Sequence, residues 1–501
     1  MMGTPPQDEG RNGAPLRAVV VGGGPAGCVT AFFLAKRGFQ VEVFERRAGI
    51  ARPQETADLT KEEVRATVFD RSETRSYAMM LTKRAFVALD AAGVELPHWI
   101  GQRIRGSRRN LKTGKVVQNE YGATTDNRTV ARQTLTAWLL HHLQDSFPDK
   151  ARIHLGYGFV GFKEGGRVAL FEKVRTTSDA GNGVDADVRE GTELLEAPFD
   201  LLVGADGVSS SVRTHLLKKE EAEGTPAGEC ELTCSQTMSL TLYKTLVIPP
   251  SVALRHGFEG PTREYLNVWQ SGIMMVPMGD GSLWGGSMAP RLVGATSPET
   301  VTSALSKEAP TLLPLLQDTN PDFAQQFVEQ PAIPQGTTTV LSRFHSGHVV
   351  LVGDAAHSMV PELGQGCNTA IEDCLVLNES LDALGVRGDA SPGAIPKALK
   401  EFTARRLPDA RAIQALNAKR FFPRTFLERI KFVGIIMLSK LAPPLIGTPS
   451  FFMLFTTTPF RRILAQKERE DRTWMALQAS VVAAGLGIAT YACSTWLPAW
   501  K

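Results

Sequence analysis

Gly22, Gly24 and Gly27 stand in a G-x-G-x-x-G spacing, and a carboxylate, Glu45, follows roughly 20 residues on. Glycines so spaced let a chain turn tightly and bring backbone amides against a pyrophosphate, while a helix opening there aims its positive end at the same group. A carboxylate one strand later meets a ribose hydroxyl. Together they have the chemistry to hold a dinucleotide, and Ala26 in the loop and Arg46 beside Glu45 belong to the same candidate cradle. A glycine turn serving only close packing is the competing reading.

A second group of residues lies far downstream. Gly204 to Gly207 read GADG and include Asp206; Gly353 and Asp354 open GDAAH; Gly366, Cys367 and Asn368 follow in GQGCN. His357 reads as a structural or cofactor-side contact rather than a general base, so no residue is assigned the catalytic step. The six cysteines form no CxxC pair or Cys/His spacing suited to zinc, so no metal is expected.

The flanking elements favour the dinucleotide. "AVVVGGGPAGCVTAFFLAKRGFQVEVFERR" reads strand, turn, helix, strand, one βαβ unit, and no second such unit appears. Arg132 and Gln133 open the helical "ARQTLTAWLLHHL", whose His141 and His142 fall on an expected solvated face. "FDLLVGADGVSSSVRTHL" is a strand running through a turn into a helix, and Leu240 to Pro290 alternates like antiparallel strands joined at glycines. Thr176 to Gly191 and Val386 to Pro396 read as surface loops.

In this order, G-x-G-x-x-G, RQ-x-x-L, GADG and GDAAH resemble the motifs of the single-component flavoprotein aromatic hydroxylases, the para-hydroxybenzoate hydroxylase-like family. The resemblance implies that the dinucleotide is FAD. Asp354 would hold its ribityl chain, and amides at Gly366, Cys367 and Asn368 would meet the pyrimidine edge of its ring system, where a helix dipole favours the reduced anion. NAD(P)H is implied as transient reductant and molecular oxygen as co-substrate, one oxygen atom entering an aromatic compound and the other leaving as water.

Within that family, "TRSYAMMLTKRAFVALDAAGV", "EYLNVWQSGIMMVPM" and "VPELGQGCNTAIEDCLVL" resemble the kynurenine 3-monooxygenases. The resemblance implies a substrate carboxylate clamped by an Arg and a Tyr, helped by a later Asn and Tyr. Tyr121 matches the first Tyr, but Ser107 stands where the Arg is expected, and the later pair falls on Arg420 and Phe451. Arg108 and Arg420 are therefore the candidate substrate cations beside Tyr121, Arg108 only if a bulge or register slip turns it to that side.

The chain's 501 residues are 43% hydrophobic with net charge +3 and interspersed charges, ample for two or three domains and without the basic stripe that nucleic acid would need. The expected fold is α/β. A Rossmann-like FAD-binding domain spans 18–75, 125–215 and 340–400, and a mixed or antiparallel-sheet substrate domain spans 76–124 and 216–339. A disordered lead-in (1–17), a helical C-terminal region (401–472) and a hydrophobic anchor (473–497) complete it. "WMALQASVVAAGLGIATYAC", with basic residues before it, predicts a transmembrane helix that leaves the catalytic body cytosolic, on a membrane such as the mitochondrial outer membrane. Two rivals stand beside the hydroxylase: a flavin reductase or dehydrogenase acting on an isoprenoid or other lipid, and a non-catalytic binding protein on the same fold.

Overall fold

The computed structural model describes residues 14–48, 50, 78–121, 127–176, 187–189, 194–225, 228–269, 272–419, 421 and 425–496. They fall into two compact units, 1–407 and 408–501.

In the first unit, β1 (Arg17–Val21) passes through the glycine turn into α1 (Pro25–Lys36) and returns as β2 (Gln40–Glu45), parallel to β1 with Val21 beside Phe44. Valines at 19, 20 and 21 favour the strand, and Pro25 at the first helical turn costs no hydrogen bond. Then come the hairpin of β3 (Gly106–Asn110) and β4 (Val116–Glu120), α2 (Arg132–Ser146), β5 (Leu201–Gly204) and α3 (Ser211–Glu223). A meander of β6 (Tyr265–Trp269), β7 (Ile273–Pro277) and β8 (Leu283–Ser287) follows, then β9 (Val349–Leu351) and α4 (Gly366–Ala383).

Among the described residues, one sheet runs in the order His345–Ser346, β9, β5, β1, β2, Ala151–Leu155. All its neighbours are parallel except the first pair. Its centre is fully buried: Val20, Val43, Leu201, Leu202, Val203, Val350 and Leu351 have no exposed surface. Leu201, Leu202 and Val203 are consecutive, so the sheet is covered on both faces, and burial worth roughly 1.5–3 kcal/mol per aliphatic side chain holds these strands at its centre.

A second sheet runs Ile333–Pro334, Leu242–Ile248, β8, β7, β6, β3, β4, with β6 parallel to β3 and the other pairs antiparallel. One of its faces packs on short helices through Leu246, Trp269, Ile273, Met275 and Leu283. The other carries Leu266 and Val276, which pack with Ile104, Met278, Tyr121 and Trp284. A three-stranded sheet joins Ala78–Leu81, Asn127–Ala131 and Gln102–Ile104, so it crosses the expected boundary between substrate and cofactor domains near 124.

Other expectations change. Asp187–Arg189, inside the expected loop at 176–191, is a strand paired with 174–176; 177–186 and 190–193 lie outside the described residues. The face of His141 and His142 is packed, not solvated: the His142 ring stacks on Trp138 with centroids 4.6 Å apart and tilts against Phe32 at 5.3 Å.

α5 (Ile395–Ala418) carries Pro408 inside it. In the second unit, α6 (Phe426–Leu441) opens with a capping box of Thr425 and Glu428, and α7 runs Phe460–Trp496. Among the described residues no helix is long and apolar enough to cross a membrane, so the expected transmembrane anchor is not supported. The side chains at 481 and 484–496, in the second half of that stretch, lie outside the description, as do 497–501 and 1–13.

Candidate functional site

Three turns leave neighbouring strands at one edge of the parallel sheet. Val21 pairs with Gly204, and Gly204 with Leu351, so the G-x-G-x-x-G, GADG and GDAAH segments emerge side by side from β1, β5 and β9. The carboxyl ends of parallel strands are where α/β sheets bind ligands.

The first turn is shaped by what its glycines lack. Gly22 has φ +103°, and a Cβ there would stand 2.4 Å from the Ala205 carbonyl oxygen. A Cβ on Gly27 would stand 1.9 Å from Gly22 O. Gly24 differs: a Cβ would meet nothing within 4 Å, so the space above it is open. Gly24 is also the N-cap of α1 and offers no side-chain cap, and no acid stands in the first turn. An open, uncapped helix start suits a pyrophosphate.

Glu45, at the end of β2, is buried and accepts from Gly23 N at 2.9 Å and from the Arg47 backbone and Nε at 3.1 and 2.9 Å. Burial pushes its carboxyl up, but the Arg47 charge and these hydrogen bonds outweigh that and hold it below the usual range. Arg47, rather than the exposed Arg46, is its ion partner.

In the second turn, Asp206 Oδ2 accepts from Val212 N at 3.1 Å, and its buried Oδ1 has no hydrogen-bond partner. Burial pushes this carboxyl up. Arg213, just beyond, donates to Val208 O at 2.7 Å and to Ala355 O at 2.8 Å, tying the second turn to the third.

In the third turn, Gly353 has φ +59°, and its N–H donates to Asp373 Oδ2 at 2.8 Å. Asp354 shares its surroundings with Arg132 and Cys367. Burial raises the Asp354 carboxyl while the His357 and Arg132 charges pull it back. Burial, then the Asp354 charge, push the Cys367 thiol up to about 12. Gln365, N-cap of α4, is buried, and neither atom of its side-chain amide has a partner. A Cβ on Gly366 would meet nothing within 4 Å. Leaving buried donors and acceptors unmade costs about 1–3 kcal/mol each, so a buried, unpartnered amide beside an open helix start fits a ligand edge with both donors and acceptors. A flavin's pyrimidine edge has that chemistry.

Asn368 works differently. Its side chain donates to Met80 O at 2.9 Å and Gly364 O at 3.1 Å and accepts from Thr82 N at 2.8 Å, pinning α4 to the strand Ala78–Leu81. Only its backbone amide is left for a ligand.

Behind the third turn lies a charge network that the motifs do not reveal. His357 Nε2 is 2.7 Å from Asp373 Oδ2, Arg406 Nε donates to Asp373 Oδ1 at 2.7 Å, and Arg406 also pairs with Glu372 at 2.8 Å, which in turn takes Arg84. The signal available was the Glu372–Asp373 pair in an apolar helix, where acids are rarely buried unless partnered.

On the second sheet, the Tyr121 hydroxyl hydrogen-bonds Ser107; burial pushes it up and that bond pulls it back. Ser107 pairs with Leu266, and Arg108 with Asn267, in ladders without a bulge across all five residues of β3. Alternation then puts Arg108 on the face opposite Ser107 and Tyr121, with Asn267 and Met275 against the helices. No slip re-aims it, which corrects Arg108 as a partner of Tyr121. Arg420 lies outside the described residues.

Such a parallel sheet with three converging turns and an apolar second sheet defines a flavin-binding oxidoreductase. A model of the FAD binding domain family matches residues 163–416, just over half the chain, and an NAD(P)-binding Rossmann-like domain model matches 20–76. The chain belongs to the FAD-binding-domain family. It is an FAD-dependent monooxygenase of the aromatic hydroxylase type, with NAD(P)H as reductant. It is 29% identical over 454 residues to kynurenine 3-monooxygenase of Sus scrofa, covering 89% of this chain and 84% of that one. With the protein of the same name from Xanthomonas oryzae pv. oryzae (strain PXO99A) it shares 28% over 421 residues, covering 81% and 79%. Two solved structures share the fold. The tetrameric form of 2-methyl-3-hydroxypyridine-5-carboxylic acid oxygenase has a TM-score of 0.58 at 20% identity, covering 89% of this chain and 98% of that one. Klebsiella pneumoniae HpxO complexed with FAD and uric acid has 0.52 at 18%, covering 91% and 96%.

Proposed function

We propose that this monooxygenase hydroxylates the aromatic ring of kynurenine or a closely related compound, holding FAD across 18–75, 125–215 and 340–400 and its substrate against 76–124 and 216–339. The observation that carries it is the single row of Val21, Gly204 and Leu351, which aligns three ligand-competent turns at one sheet edge. The name shared by the curated relatives supports the substrate class.

Bound FAD would supply the oxygen-activating chemistry, which no side chain provides. The chain's part is positioning. Gly22, Gly24, Ala26 and Gly27 with the open start of α1 take the pyrophosphate, Glu45 takes a ribose hydroxyl, and Arg46 stands beside it. Asp206, Arg132, Gly353 and Asp354 border the middle of the cofactor. The Gln365 amide and the backbone at Gly366, Cys367 and Asn368 take the pyrimidine edge, where the start of α4 stabilises negative charge. Tyr121, braced by Ser107, orients the substrate, with Arg420 as a candidate for its carboxylate. Ile104, Leu266, Val276 and Met278 keep water from that side, which such chemistry needs.

The test is substrate-stimulated NAD(P)H oxidation across a panel of kynurenine and related anthranilates under labelled oxygen. One labelled atom in the product supports hydroxylation; oxidation without incorporation marks a reductase and overturns it. Membrane attachment through 473–497 belongs to the same reading, supported by the apolar sequence and its basic flank. Carbonate extraction of cell membranes tests it: recovery in the wash rules out a spanning anchor.

A further inference from the structure

Helix α6 is apolar on two opposite sides. Ile435 is buried on one, while Gly434, at the edge of the other between Leu427 and Leu441 in helical projection, admits the Trp474 ring of α7 so closely that a Cβ there would stand 2.5 Å from Cζ3. The opposite side carries Phe426, Ile430, Val433, Met437 and Leu441. Their spacing of four, three, four and four returns them to one stripe at 3.6 residues per turn. They are 74%, 44%, 53%, 57% and 79% exposed, and Leu427, at 74%, widens the stripe. Single exposed leucines need no explanation, but six large apolar side chains contiguous on one 16-residue helix mark a contact surface.

The charges indicate what covers it. Arg429 and Lys440 are exposed along one border of the stripe. The acid of this helix, Glu428, is engaged in the capping box, and Lys431 is turned inward to Asp471 at 2.7 Å. The neighbouring α7 adds exposed Arg461, Arg462, Arg469 and Arg472, followed by exposed Met475, Leu477 and Val482. A second copy of this chain seated on the stripe would bring the same basic borders together without an acidic counterpart. An anionic lipid surface satisfies both the stripe and its border. Sixteen residues reach about 24 Å, short of the roughly 30 Å needed to cross, so the helix would lie along the surface.

We propose that α6 is a membrane-surface helix, its stripe buried among acyl chains and Arg429 and Lys440 reaching to anionic headgroups. This surface is separate from any spanning segment and from the flavin site.

Flotation of the full-length holoprotein with vesicles tests it, using phosphatidylcholine alone and phosphatidylcholine with phosphatidylserine. The intact chain is expected to float with the anionic vesicles. Val433→Asp/Met437→Asp should bind at least ten-fold more weakly, while Arg429→Glu/Lys440→Glu should lose the preference for anionic lipid. Unchanged flavin absorbance and circular dichroism would show that both variants are folded. The proposal is overturned if the intact chain ignores anionic vesicles or if Val433→Asp/Met437→Asp floats undiminished. It is equally overturned if light scattering shows a dimer that this substitution splits.

Discussion

His357 and Asp373, sixteen residues apart in sequence, meet at 2.7 Å in a fully buried pair directly behind the Gly353 turn. Asp373 also takes the Gly353 N–H and Arg406, so one carboxylate sets the backbone from which Asp354 projects. Burial raises Asp373, but the His357 and Arg406 charges outweigh it and leave its carboxyl below the usual range.

Asp373→Asn should therefore cost about 3–5 kcal/mol, the usual penalty for stranding buried charges. Because the folded carboxyl is the stronger acid, its contribution is complete above the ordinary carboxylate pKa of about 4 and is lost as pH falls through the lowered folded value. Urea titrations between pH 7 and pH 3 should show wild type and variant converging below about pH 4. A gap that stays constant would assign the loss to shape rather than charge.

Through His345, stability is lost in the same direction for a different reason, because its surroundings disfavour the charged form. Burial, then the Arg343 and Lys400 charges, push it down to about 4, with Glu220 pulling the other way. Between about pH 6.5 and that value the unfolded chain takes up a proton that the folded one refuses. Stability should fall with acidification at up to about 1.4 kcal/mol per pH unit and then level off. His345→Gln should flatten that slope in thermal melts, and an unchanged slope would exclude His345 as its source.

Gln365→Leu should separate folding from ligand binding. Removing two unpartnered buried atoms should raise apoprotein stability by about 1–3 kcal/mol, while weakening FAD affinity about ten-fold if the amide meets the ring. Flavin release followed by fluorescence, beside apoprotein melts, reads both. Loss of stability in the apoprotein would show that the amide serves the fold.

Arg108→Ala should leave the KM for any turned-over substrate unchanged, because Arg108 lies across the sheet from Tyr121. Tyr121→Phe should raise KM several-fold with little loss of FAD. If the two variants behaved the other way round, the ladder between β3 and β6 would be displaced in solution.

The contrast between Gly22 and Arg108 shows what the chain discloses before it folds. Gly22 must reach φ +103°, a requirement written at the residue itself, although the carbonyl that would also exclude a Cβ belongs to the distant Ala205. Gly27 is constrained locally in another way, since a Cβ there would stand 1.9 Å from Gly22 O, five residues back. The side on which Arg108 falls depends on register with Asn267, more than 150 positions away, and no local pattern states it. Asp373 and Arg406 are 33 residues apart on different helices, so their pairing became visible only once those helices were packed. His142 looked polar and proved to be a stacking partner, because Trp138 lies one turn before it.

The parallel sheet receives its strand at Val349–Leu351 only after two thirds of the chain has been made, yet that strand carries the third ligand turn. During synthesis, at about 5–20 residues per second, β1 and β5 must wait for many seconds with the flank of Leu201–Gly204 unprotected. Cofactor capture is thereby a late event, and retention of flavin doubles as a proof of completeness: a prematurely terminated product would be left with a bare strand flank, prone to aggregate.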